Sequence, residues 1–351
     1  MQFAVDHRDH AKPGLGRRVV LRGQAVYRIQ RTDSEDGFCA LPADSQALQA
    51  ALEHLAASGI DVLWLASRPG QSGTGYGRCL SQITDLTAAQ TLPARLRAVA
   101  EIAIPAGLRV LADLQELQIK PSRASLTYVP PLPKQACYRW ADVPRGRADS
   151  NNAEADGVDL LRIAHCQDWL EQECKAPFAH AALTYVHRLY GRGWPLWLVS
   201  AQWLHPGAQQ AGMDVAPRLL ALALALPLCL KGSPLLDHPL AGHLLEVPSS
   251  IARFLRWRRT IPALRYGKMQ LLGMHENLLM FTRQDGSQCV LCVFNLSERF
   301  VRQPLPPTFA RFSLIAGSGL EGGRIVDREI DCDPWGALFA QQYDPLPLKS
   351  Y

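Results

Sequence analysis

The feature that most constrains this chain is a repeated unit: a helix-period segment, a terminating glycine, and then a short, fully apolar run. Between residues 46 and 57, Leu48, Leu52 and Leu55 recur at helical spacing behind Asp44-Ser45, which reads as a cap. Gly59 ends that helix, and IDVLWL at 60–65 follows without polar alternation. The unit recurs at 88–106, where Leu92, Leu96 and Val99 share a face, Gly107 stops the helix, and LRVLAD occupies 108–113. Residues 25–29, 158–163 and 196–199 are further strand candidates. Strands apolar on both sides must be covered by helices on both sides. The alternation therefore predicts an α/β architecture around a parallel sheet.

The texture changes along the chain. An N-terminal segment, 1–20, precedes the first unit, and an irregular insertion rich in Pro, Arg, Ser and Asn covers about 121–156. Residues 249–266 read as one basic amphipathic helix, its apolar face packed and its arginines in solvent. From 268 onward strand-like runs alternate, with Asp285-Gly286 as a hairpin signal, so 268–342 is expected to form an antiparallel β-domain. A tail, 343–351, carries two prolines. The boundary between the two large units is expected near residue 267.

Charge and cysteine usage exclude some classes. The net charge of +5 comes from 37 basic and 32 acidic residues spread along the chain, with no block suited to a nucleic-acid or membrane arm. The longest apolar run, 219–230, is broken by Pro227 and falls short of the roughly 20 residues a membrane helix needs. Residues 1–12 are polar and carry no secretory apolar core. The nine cysteines are odd in number and scattered. Cys289 and Cys292 form a C-x-x-C, but positions three apart in a strand face opposite sides, so no metal or redox role is assigned to them. A reduced, cytoplasmic setting without metal or cofactor is the expectation.

Several segments, in order, resemble the α-glucosidase and oligo-1,6-glucosidase branch of the α-amylase superfamily, glycoside hydrolase family 13. LAASGIDVLWL at 55–65 is similar to that family's helix leading into its second strand, and GLRVLAD at 107–113 to its third. YRWAD at 138–142 and Asn151-Asn152 resemble its insertion, and GVDLLR at 157–162 its fourth strand. FLRWRRTIPALRYG at 254–267 resembles the last barrel helix, while CVLCVFNLS at 289–297 and DPWGALFA at 333–340 resemble the terminal β-domain. The resemblance implies a (β/α)₈-type TIM barrel over 21–267 and a C-terminal antiparallel β-sandwich. Only residues 202–217 separate the fifth-strand match from the next helix, so the barrel is expected to be truncated by about two strands.

The same resemblance exposes a loss. A retaining glycosidase needs two carboxyl groups about 5–5.5 Å apart across the scissile bond. The family's nucleophile falls two positions after Arg162, which is Ala164 here, and its acid/base at the end of the fifth strand falls on Ala201. A methyl group neither attacks an anomeric carbon nor donates a proton. No Asn-His-Asp occurs to supply the third acid. The family's G-Y-D reads Gly75-Tyr76-Gly77, and the histidine expected five residues beyond Asp113 is Gln118. Tyr76, Asp113 and Arg162 survive as substrate-binding candidates, although Asp113 and Arg162 could equally pair with each other as structural charges. Glu116 is the alternative acid.

Three functions are compatible with this pattern. The first is an α-glucosidase/α-amylase-like protein of carbohydrate metabolism that is catalytically inactive and binds an α-glucoside or malto-oligosaccharide. The second is an active α-glucosidase or transglucosylase with relocated acids. The third is a degraded gene product without selected function.

Overall fold

A computed structural model of the chain describes residues 21–30, 41–66, 80–83, 94–113, 163–165, 176–190, 194, 196–199, 216–237, 247, 249–273, 275–320 and 322–343. Its first part alternates strands and helices. In chain order these are β1 Val26–Gln30, α1 Ser45–Ala57, β2 Val62–Ala66, β3 Leu80–Ile83, α2 Ala94–Ala103 and β4 Arg109–Asp113. Then come β5 Ile163–His165, α3 Ala176–Tyr190, β6 Leu196–Val199, α4 Ala216–Cys229, β7 Ser233–Asp237, α5 Ser249–Arg259 and α6 Pro262–Tyr266. The strands form one sheet in the order β3-β4-β2-β1-β7-β6-β5, parallel throughout except for the β3–β4 pair.

Local chemistry accounts for the unit that dominated the sequence. The Asp44 carboxylate accepts the Ala47 N–H at 2.7 Å, capping α1 as its position before the periodic leucines predicts. Gly59 leaves that helix with φ +99°, donating to the Ala56 carbonyl, while the Ile60 N–H reaches Leu55. This left-handed exit favours glycine. A Cβ at Gly59 would also stand 2.8 Å from the Leu255 side chain, so α5 depends on its absence. Gly107 repeats the exit at the end of α2 with φ +88°.

The alternation along each strand sorts side chains into two layers. Tyr27, Ile29, Leu63, Leu65, Val110 and Trp197 join α1, α2, α4 and α5 in the principal core. Their strand neighbours Val26, Val62, Trp64, Leu111, Leu196 and Leu235 form a separate buried cluster on the opposite face.

From residue 268 the strands are antiparallel. They are β8 Lys268–Leu271, β9 Leu278–Asp285, β10 Gln288–Asn295, β11 Val301–Pro304, β12 Ser313–Leu314, β13 Gly323–Val326, β14 Glu329–Cys332 and β15 Ala337–Tyr343. One sheet runs β12-β15-β10-β9-β8 and the other β11-β14-β13. Asp285-Gly286 turns β9 into β10, with Gly286 at φ +54°. Leu291 and Val293 pack with Ile330 and Cys332 of the smaller sheet, while Val290, Cys292 and Phe294 join the principal core. The two faces of β10 therefore serve two cores, and Cys292 lies on the face opposite to that of Leu291, as the spacing of the C-x-x-C implies.

Three expectations are corrected. Residues 249–266 are two helices, because Pro262 begins the second behind an extended Ile261. Their arginines are not all in solvent: Arg258 is buried and donates to the carbonyls of Leu228 at 2.8 Å, Gly23 at 2.9 Å and Gly232 at 3.4 Å. The parallel sheet also contains a strand the sequence did not announce, β7, seated between β1 and β6. The candidate strand at 158–163 overlaps β5 only at Ile163, and 158–162 lie outside the described residues.

Candidate functional site

In a parallel α/β sheet, chemistry belongs at the carboxyl ends of the strands, where the following loops leave the sheet. Those ends are Gln30, Ala66, Asp113, His165, Val199 and Asp237. Register fixes how they stand. Trp64 pairs with Arg28, and Arg28 with Asp237, so one row crosses β2, β1 and β7. Gln30 pairs with Ala66 in the row above, and Asp113 follows Ala112, the partner of Leu65.

The Arg28 guanidinium lies over the Trp64 ring, 5.3 Å from its centroid. Trp64 is buried in the cluster on the face opposite the principal core, and Arg28 is half-buried. A delocalised cation stacks favourably on an indole face. Neither Arg28 nor Asp237 was singled out from the sequence. The available signal was the charged position alternating with Val26 in an otherwise apolar strand.

Of the sequence-derived candidates, Asp113 is the last residue of β4. Ala164 is the middle residue of β5 and pairs with Trp197, which pairs with Pro234. It therefore stands three residues short of Asp237 in register. The hydrogen-bonded order does not bring Asp113 and Ala164 together: β2, β1, β7 and β6 lie between their strands. Tyr76, Glu116, Arg162 and Ala201 lie outside the described residues, as does the insertion at 121–156. Among the described residues, no group of three or more His, Cys, Asp or Glu side chains could hold a metal ion. No described helix is long and apolar enough to cross a membrane.

The opposite, amino ends of the strands carry a polar network. The Asp61 carboxylate, just before β2, accepts the Ala25 N–H at 2.8 Å and the Arg259 guanidinium at 2.8 Å, with Arg265 at 3.7 Å. Trp197 donates to the Lys231 carbonyl at 3.0 Å, and the Ser233 hydroxyl donates to the Leu21 carbonyl. These contacts join α5, α6 and the strand starts. They tie the helices to the sheet.

No protein-family model matches the chain. Its sequence is similar to a probable alpha-glucosidase of Rhizobium meliloti (strain 1021), 35% identical over 89 residues, which is 25% of this chain and 16% of that protein. The matching stretch thus spans about a sixth of the relative's length. In structure the chain is similar to XgtA, an alpha-glucosyl transfer enzyme, with a TM-score of 0.56 at 14% identity over 91% of this chain and 99% of the other. It is also similar to a variant of AmyP crystallised with maltotriose, with a TM-score of 0.55 at 11% identity over 92% and 98%. The alpha-amylase from H. orenii gives 0.52 at 11% identity over 91% and 99%. The chain thus shares the fold of these solved enzymes, and over a quarter of its length its sequence is similar to a probable alpha-glucosidase, in line with the resemblance of its motifs to the α-amylase superfamily.

Proposed function

We propose that the protein is an α-glucosidase-like member of this superfamily that has lost catalysis and retains the scaffold, with weak binding of an α-glucoside or malto-oligosaccharide. In this reading residues 21–267 form a truncated (β/α)₈-type barrel with a short insertion at 121–156, and 268–342 an appended β-sandwich. The protein works in the cytoplasm and needs no cofactor. The observation that carries the reading is Ala164 in β5, where the family resemblance calls for a nucleophilic carboxylate. Ala201 removes the acid/base in the same way. Loss of both groups takes away nucleophilic attack and leaving-group protonation together, each worth orders of magnitude in rate. Binding would rest on Tyr76, Asp113 and Arg162. That AmyP was crystallised with maltotriose supports the choice of ligand.

The test is direct. The purified chain should release no nitrophenol from p-nitrophenyl α-glucoside, while maltotriose should give a saturable calorimetric signal in the millimolar range. Turnover above a heat-inactivated control would sink the proposal.

A second reading, an active enzyme with relocated acids, is favoured by one observation: Asp237 closes β7 as Asp113 closes β4. If turnover is found, its abolition in Asp237→Asn or Glu116→Gln would establish this reading and identify the acid.

A further inference from the structure

At the amino ends of the parallel strands, two cations share one aromatic ring. Trp194 lies just before β6. The Arg22 guanidinium and the Lys231 ammonium both lie over its indole, each 5.9 Å from the ring centroid. Arg22 stands on the segment leading into β1 and is exposed. Lys231 stands on the loop between α4 and β7 and is half-buried, as is Trp194.

Hydrogen bonds hold this platform from below. The Ser233 hydroxyl, at the first position of β7, accepts the Trp194 Nε1–H at 3.1 Å and donates to the Leu21 carbonyl. One hydroxyl therefore fixes both the ring and the residue before Arg22. On the other side of Arg22, the Gly23 carbonyl accepts Arg258 at 2.9 Å and Arg265 at 3.3 Å. Lys231 is framed in the same way: its carbonyl accepts the Trp197 Nε1–H at 3.0 Å, and the Gly232 carbonyl accepts Arg258 at 3.4 Å. The main chain under both cations is set before a ligand arrives, which spares part of the ordering cost of binding.

The two charges repel each other across the ring. Burial first, then Arg283 and Arg22, holds the Lys231 ammonium below its ordinary pKa. An ammonium carries three N–H donors and a guanidinium five, so contact with a ring face leaves each of them further donors. An oxyanion between the two heads replaces one repulsion with two charge-assisted hydrogen bonds.

We propose that Arg22, Lys231 and Trp194 form a binding site for a small oxyanion of the phosphate class, at the end of the sheet opposite Asp113. Lys231 meets the anion from the loop, Arg22 covers it from the solvent side, and the indole sets the spacing of the two heads. The site does not rest on the α-glucoside reading, and either can fail alone.

The experiment titrates the full chain with inorganic phosphate at pH 7, with ionic strength held constant by sodium chloride. Tryptophan fluorescence should change saturably in the millimolar range. The thermal midpoint should rise with phosphate and stay unmoved when chloride replaces it. Phenyl phosphate should compete: binding at least as tight points to an organic ester as the source, weaker binding to the free ion, and the site stands in either case. Arg22→Gln, at an exposed side chain, and Lys231→Met should each unfold cooperatively and weaken phosphate binding about tenfold. A response that is the same for phosphate and chloride, or a phosphate response retained in Arg22→Gln, would overturn the proposal.

Discussion

Adjacent arginines, Arg258 and Arg259, end α5 in two different environments, and a third environment lies on the smaller antiparallel sheet. Arg258 is fully buried and donates to main-chain carbonyls: Leu228 in the last turn of α4, Gly232 in the loop that follows, and Gly23. Arg259 is about a third exposed and divides itself between the Ile60 carbonyl and the Asp61 carboxylate. On β11 and β13, Arg302 and Arg324 stand in solvent and both grip the Asp331 carboxylate, at 2.7 and 3.1 Å. The difference shows what each charge is for. The buried guanidinium is a multiple donor that completes a helix end, where carbonyls lack intrahelical partners. The exposed ones serve as counter-ions.

Burial, followed by the neighbouring Arg283 and Arg265, pushes the Arg258 guanidinium down to about 9, and burial brings Arg283 down to about 10. Both remain charged at neutral pH, and the cost of burial is offset by the carbonyls they satisfy, those of Gly267 and Cys229 in the case of Arg283 on β9. Two cations buried this close are held by dipoles.

The comparison can be broken most severely at Arg258. Arg258→Leu keeps bulk but orphans the Leu228 and Gly232 carbonyls, while Gly23 still receives Arg265 at 3.3 Å. A loss of about 2–4 kcal/mol follows, from the desolvation cost of unpaired buried acceptors. Urea unfolding should show a lower midpoint, with Arg258→Lys recovering only part of it. If Leu at 258 proves neutral, the carbonyl-satisfying role is wrong.

Arg259→Ala should cost less, about 0.5–1 kcal/mol, since Asp61 keeps the Ala25 N–H and the more distant Arg265. Added salt should shrink that difference and leave the Arg258 effect in place, which sharpens the contrast between counter-ion and donor.

The smallest effect belongs to Asp331→Asn. Hydrogen bonding to Arg302 first, then Arg324, holds the Asp331 carboxyl below its ordinary value. A depressed carboxylate pKa contributes stability that is fully present above the unfolded value and lost as pH falls through the folded one. The wild-type advantage over Asp331→Asn should therefore be seen at pH 7 and vanish in the acid range below pH 4. An advantage that persists at pH 2 would show that the carboxylate's charge is not its source.

Much of the fold was legible because its signals are local. Asp44 before the leucines of α1, Gly59 and Gly107 after their helices, and Asp285-Gly286 between two apolar runs each act within a few residues. β7 was not legible. Its sequence, SPLLD, places Pro234 in the second position of a central strand, where proline forfeits a ladder donor and normally argues against the assignment. The candidate site was legible only where family spacing could be laid along the strands, at Asp113 and Ala164. The row of Trp64, Arg28 and Asp237 needed the register of β2, β1 and β7, which no single segment contains.

The sequence by itself determined the alternation of elements, the change of texture after 267, and the absence of carboxylates at positions 164 and 201. The tertiary structure decided that β7 enters between β1 and β6 and that Arg258 belongs to the interior. Periodicity reports how a segment divides its faces. Which distant segment covers a given face depends on contacts between residues far apart in the chain, and composition leaves no trace of those.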